Sequence, residues 1–297
     1  MDADATPFKP SPAAASGLGE RVPPHAYFLV SAVFHYLGPA FAVLLFAEVA
    51  PLGVAWLRIA TAAAVFAIWR RPWRYYATLS VEAKRTVWAL GVVLALMNAC
   101  FYLAIARLPL GTVGAIEFLG PIGVAAAGIR SRRNIAALLL AGVGVYVLSD
   151  ARFAGTPAGF LFAFANCALF VLYVVLGHRI AAQGGTRGID SLAAAMLVAM
   201  LAAIPIGIRD AWPTFSQPLL IAAGAGVGIC SSVIPYVCDQ LAMARLARST
   251  FALLLSLLPA MASVIGVVVL RQIPSLLEVF GVLLVIAGVF LHRSENR

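Results

Sequence analysis

The chain reads as an all-α integral membrane protein of about ten transmembrane helices, arranged as two inverted five-helix repeats. Three observations predict this: the composition, the length and spacing of the apolar runs, and the placement of the basic residues. Of the 297 residues, 63% are hydrophobic and only 11% charged, with a mean hydropathy of +0.98. A soluble domain carries roughly 25% charged residues, so this surface has too few charges to face water. Its main solvent must be lipid.

Residues 1–24 are rich in Ala, Pro, Ser and Gly and end at Pro23-Pro24, which reads as a disordered cytoplasmic tail. Apolar runs follow at about 26–47, 50–69, 87–106, 112–130, 135–149, 157–178, 190–208, 218–241, 249–270 and 275–292. Most approach the roughly 20 residues needed to cross the hydrocarbon, and the fifth is short. The first is too long for the core of a cleaved signal peptide. Backbone groups in lipid must be satisfied within the segment, so each run is expected to be helical. This divides the chain into a first repeat over 25–150, a second over 151–293 and a cytoplasmic end at 294–297.

Counting Lys and Arg orients the chain. With the N-terminus in the cytoplasm, 16 of the 21 basic residues fall inside and four outside (Arg107, Arg152, Arg209 and Arg271), with Arg58 left in the membrane. Flipping the chain or dropping one span destroys the asymmetry, so both termini are expected in the cytoplasm of a multi-pass plasma-membrane (inner-membrane) protein. A shift of 138 residues aligns Ala106-Arg107-Leu108 with Ala244-Arg245-Leu246, Thr112 with Thr250, Leu119 with Leu257, Pro121 with Pro259, and Gly128 with Gly266. Five spans separate the copies, so the second half runs upside down. Inverted repeats of this kind build a central site reachable alternately from either side.

The net charge of +9 does not imply nucleic acid, because the basic residues lie in short gaps between spans and form no aromatic-interleaved patch. Lipid headgroups are the expected contact. Cys100, Cys167, Cys230 and Cys238 lie within apolar runs without metal-ligand spacing, which reads as small buried hydrophobes. No cofactor or metal site is expected. There is no Walker motif, no HExxH and no nucleophile–base set, so neither an ATP-driven pump nor an intramembrane enzyme is predicted.

The stretch Met97–Pro121, MNACFYLAIARLPLGTVGAIEFLGP, resembles the threonine/homoserine exporters in the EamA-like branch of the drug/metabolite transporter superfamily. Pro235-Tyr236, Asp239 and Ala244-Arg245-Leu246 look like the matching motif of the second half, and Trp56-Leu57-Arg58 and Pro72-Trp73-Arg74 are similar to that family's second helix and following loop. The resemblance implies a ten-helix secondary transporter that exports amino acids and related metabolites on an ion gradient. Where relatives often carry Glu-Pro in the ninth helix this chain has Leu258-Pro259. Where they often carry Gly-Glu after it, this chain has Arg271-Gln272.

Charged groups at bilayer depth cost at least ~2.5 kcal/mol each on insertion scales, so Arg58, Glu117 and Asp239 call for partners or purposes. Arg58 and Glu117 lie at depths differing by only ~3 Å at 1.5 Å per residue. They can form a structural ion pair, or a zwitterionic substrate can set its carboxylate on Arg58 and its ammonium near Glu117. A carboxyl in this setting suits the binding and release of a proton. Asp239 is either a rim residue paired to a cytoplasmic arginine such as Arg245 or a ligand. Asn98 and Tyr102 share a helical face beside Glu117, either lining a cavity or making helix–helix hydrogen bonds. His35 is either a proton relay or a packed histidine. Tyr236 is carried by the resemblance, and Pro121 and Pro259 are candidate hinges.

The expected function is proton-coupled export of amino acids such as threonine or homoserine, or of similar small metabolites, by alternating access. The alternative is the same fold exporting another class, such as a drug, pigment or nucleotide sugar. Expected partners are the small-molecule substrate, membrane lipid and H+, with no nucleic acid; monomer and homodimer both stay open.

Overall fold

The structure, a computed structural model, describes residues 23–120, 132–150, 157–181, 187–243 and 258–291. Among these residues it is helical, with no strand. The helices are α1 (Pro24–Leu45), α2 (Pro51–Arg70), the short α3 (Pro72–Ala77), α4 (Val81–Ile105), α5 (Leu110–Glu117), α6 (Arg132–Asp150), α7 (Pro157–Ala181) and α8 (Arg187–Ala211). A 3₁₀ turn, Trp212–Ser216, leads into α9 (Pro218–Gly228), which passes through a π-helical turn, Ile229–Val233, into α10 (Ile234–Met243). The described chain ends with α11 (Leu258–Leu270) and α12 (Leu276–Leu291).

The helix starts have local causes. Proline occupies the first position of α1, α2, α3, α7 and α9, where a missing N–H costs nothing. Ser80 caps α4 by accepting from the Ala83 N–H at 3.2 Å. Six helical segments are long and apolar enough to cross a membrane: 25–45, 51–70, 81–105, 157–177, 188–216 and 218–239. Leu258–Leu270 and Leu276–Leu291 are shorter apolar helices.

Helix boundaries shift modestly from the apolar runs. The first helix begins at Pro24, and residues 1–22 of the expected tail lie outside the described residues. The fifth run, which reads as short, belongs to a 19-residue helix whose first turn carries Arg132 and Arg133. Hydropathy truncates it because those arginines precede the apolar stretch. Pro121 and Arg245 lie outside the described residues. Of the repeat pairs, Thr112, Leu119, Pro259 and Gly266 are described, and each partner is not.

Helix packing follows a regular scheme. The most extensive contacts join α6 to α12, α2 to α8 and α4 to α7, followed by α8 to α4, α10 to α1 and α11 to α5. Contacts of α11 with α1, α9 with α2 and α5 with α7 follow. Several of these contacts pair off when α1 is exchanged with α7, α2 with α8, and α4 with the α9–α10 segment: α4–α7 becomes α10–α1, and α8–α4 becomes α2–α9.

Two glycines bring the backbones together at the centre. A Cβ on Gly38 of α1 would meet the Ser231 backbone at 2.7 Å, and one on Gly228 of α9 would meet the Arg58 carbonyl oxygen at 2.8 Å. The π-turn is therefore pinched between α1 and α2, the kind of close approach that small residues permit in membranes. Gly228→Val should destabilise the detergent-purified protein by about 1–3 kcal/mol. Gly142→Ala faces open space in the middle of a helix and serves as a control that should not lower the midpoint. Thermal denaturation checks both, and a Gly228→Val midpoint equal to wild type would count against this packing.

Candidate functional site

Arg58 sits in the second turn of α2 and is 5% exposed. Its guanidinium does not snorkel. Nε donates to Ser232 Oγ at 2.8 Å and Nη2 to the Ser231 carbonyl at 2.9 Å, both in the π-turn. A π-turn offsets the ordinary ladder and leaves carbonyls open to outside donors, which is how the backbone here can accept from a side chain. The guanidinium carbon also lies 5.6 Å from the centre of the Tyr102 ring, a cation–π arrangement.

Glu117 is the last residue of α5, 4% exposed. The regular ladder lapses at Phe118 and resumes at Leu119-Gly120. Glu117 Oε1 accepts from Asn166 Nδ2 of α7 at 3.2 Å, while Oε2 is buried with no hydrogen-bond partner among the described atoms. Glu117 lies within electrostatic range of Arg58, yet the two form no ion pair. The one salt bridge among the described residues joins Arg70 to Asp190 at 2.8 Å, at the far end of the α2–α8 contact.

The remaining candidates divide between this centre and its margins. Tyr102 is fully buried; its hydroxyl lies near Arg58 and Ser231 and makes no hydrogen bond of regular geometry among the described residues. Asn98, one turn earlier, donates Nδ2 to the Leu94 carbonyl at 2.8 Å, so that donor serves its own helix rather than the site. His35 packs edge-on against Tyr36 at 5.1 Å, within electrostatic range of Arg58. Pro39 has no N–H to offer the His35 carbonyl, which loosens α1 at this level. Tyr236 is buried within electrostatic range of both Arg58 and Glu117. Asp239 is half-buried one turn beyond Pro235, beside Ser31 of α1, whose hydroxyl donates to the Pro235 carbonyl at 3.3 Å. Pro259 is the second residue of the described part of α11, and its carbonyl accepts from Ser263 Oγ at 3.1 Å.

Sequence reasoning missed the partners. Ser231 and Ser232 carry no signal of their own, because serine is common in membrane helices and only the π-turn makes them acceptors for Arg58. Asn166 stands out as polar in an apolar run, but its pairing with Glu117 is long-range. Glu278 has a legible signal: Ser275-Leu276-Leu277-Glu278 is a capping box. Glu278 Oε2 accepts from the Ser275 N–H at 2.8 Å, and Ser275 Oγ accepts from the Glu278 N–H at 3.2 Å. A second-half carboxylate is thus present, 4% exposed, at the start of α12. Gln272 Oε1 accepts from the Leu110 N–H at 3.1 Å, tying the end of α11 to the start of α5. Glu278 and Gln272 line a small cavity with Thr112 and Ser263.

The EamA-like transporter family profile matches residues 157–293. The chain is 31% identical over 239 residues to the threonine/homoserine exporter RhtA of Escherichia coli (strain K12), covering 79% of each chain. It is 29% identical over 255 residues to the threonine/homoserine exporter RhtA of Salmonella typhimurium (strain LT2), covering 84% of each. Among solved structures, a crystal structure matches with a TM-score of 0.57 and 22% identity over 91% of this chain and 98% of that one, a likeness of fold alone.

Removing the Ser232 hydroxyl leaves Arg58 Nε buried without its acceptor. Ser232→Ala should therefore cost about 1.5–3 kcal/mol, the range for a hydrogen bond to a charged group. Denaturation of the purified variant measures this, and an unchanged midpoint would mean that the guanidinium is held some other way.

Proposed function

Since this chain belongs to the EamA-like transporter family, we propose that it is a gradient-driven exporter of amino acids such as threonine or homoserine. Arg58 receives the substrate carboxylate and Glu117 its ammonium. One observation carries this reading: two opposite charges are buried within electrostatic range of one another, and each is held by neutral groups instead of by the other. A structural ion pair would have closed on itself. Separated charges with a free carboxylate oxygen suit a zwitterion, which supplies the missing partner at each end.

The architecture that goes with this function is ten spans in two inverted repeats, 25–150 and 151–293. It is supported by the helix-exchange symmetry of the packing and by the aligned motifs. The 16-to-4 division of basic residues supports cytoplasmic termini in the plasma membrane. Alternating access then follows from rocking of one repeat against the other. Pro121 and Pro259 act as hinges, and His35, Tyr102, Tyr236 and Asp239 border the path. Proton coupling follows if Glu117 alternates between substrate-bound and protonated states.

Flux of labelled threonine and homoserine into proteoliposomes, with and without an imposed proton gradient, tests the proposal. Wild type should show gradient-dependent transport, and Glu117→Gln should reduce it to near background. Arg58→Lys keeps the charge but loses the planar fork, and should raise the KM about tenfold or more. Folded wild-type protein that moves neither substrate under any gradient would refute the amino-acid reading and point to another substrate class.

A further inference from the structure

The corner around Glu117 holds more acceptors than a single proton requires. Asn166 is fully buried and donates Nδ2 to Glu117 Oε1. That bond fixes how the amide turns, because the opposite orientation would set its oxygen against the carboxylate oxygen. Asn166 Oδ1 is left without a hydrogen bond among the described atoms, as is Glu117 Oε2. A third buried oxygen, the Tyr36 hydroxyl, is likewise unpartnered. It lies 3.1 Å from where a Cβ on Gly114 would stand, one helical turn before Glu117. Gly114 leaves the room that lets the hydroxyl reach this side of α5.

With Glu117 ionised, each of these oxygens can accept, and only the tyrosine can also donate, by turning its proton aside. Buried polar atoms without partners are costly, so three in one corner point to a missing donor with several N–H bonds. A primary ammonium has three donors and no acceptor. We propose that Glu117, Asn166 and Tyr36 form a socket for an unsubstituted primary ammonium, with Asn166 and Tyr36 as specificity-determining residues. The proposal rests on the amino-acid reading of the site and narrows it: the ligand must present a free amine, and N-alkylated or deaminated analogues are rejected. Each N-methyl group removes a donor and leaves an acceptor bare. Replacing the amine by a hydroxyl removes the positive charge as well. A site built to hydrogen-bond a ligand group discriminates strongly against analogues lacking it.

The test is counterflow of labelled threonine in proteoliposomes, competed by threonine, N,N-dimethylthreonine and 2,3-dihydroxybutyrate. In wild type the two analogues should need at least ~10 times the threonine concentration for half-inhibition. Asn166→Leu should narrow that ratio to a few-fold. Tyr36→Phe, which removes one oxygen and preserves the ring, reads the same ratio if the leucine variant fails to fold. Analogues that compete as well as threonine in a wild-type protein that transports threonine would overturn the socket and leave the amino-acid reading standing. A large wild-type ratio unchanged in the folded variants would overturn the roles of Asn166 and Tyr36. Absence of counterflow with either threonine or homoserine would overturn both the socket and the reading it rests on.

Discussion

A guanidinium within an apolar helix bundle must find acceptors or reach for the interface, since leaving it bare at bilayer depth costs at least ~2.5 kcal/mol. Arg58 finds them in the π-turn of the helix that packs across it, and the neighbouring geometry serves that arrangement. Gly228 lets that helix approach the Arg58 backbone, and Gly38 lets α1 press on Ser231 from the other side. The π-turn opens the Ser231 carbonyl, and the Tyr102 ring covers the guanidinium. One charge thus fixes the meeting of α1, α2, α4 and the α9–α10 segment.

The same anchoring determines what Glu117 can do. Because Arg58 is held by serine and backbone oxygens, it is not consumed by the nearest carboxylate. Glu117 is held by an amide, which orients it without neutralising it. The two interruptions of regular helix at the centre, at Phe118 and at Ile229–Val233, adjoin Glu117 and the partners of Arg58. Irregular backbone at membrane depth persists where it is buried in protein or lines a cavity. Here it adjoins two buried charges, Arg58 and Glu117.

Much of the fold is legible in the sequence because lipid imposes a single rule: apolar runs become helices, and their lengths follow from bilayer thickness. Boundaries drift where polar residues extend a helix past its apolar stretch, as Arg132 and Arg133 do at α6. Arg58 and Glu117 are legible for the complementary reason, since charge in an apolar run stands out. Their partners are not. Ser231, Ser232 and Asn166 acquire meaning only through contacts spanning 173, 174 and 49 residues of sequence and through a π-turn with no sequence mark. Asn98 illustrates the reverse case, a polar residue whose spacing suggests the site but whose donor bonds its own helix.

If Arg58 and Glu117 are kept apart so that one zwitterion can join them, bound substrate must bridge the two. An experimental structure determined with bound threonine, at a resolution that orients the ligand, tests it most directly. The threonine carboxylate should lie against the Arg58 guanidinium and its ammonium against Glu117 Oε2. Threonine bound elsewhere, with Arg58 and Glu117 closed into a direct ion pair, would contradict it.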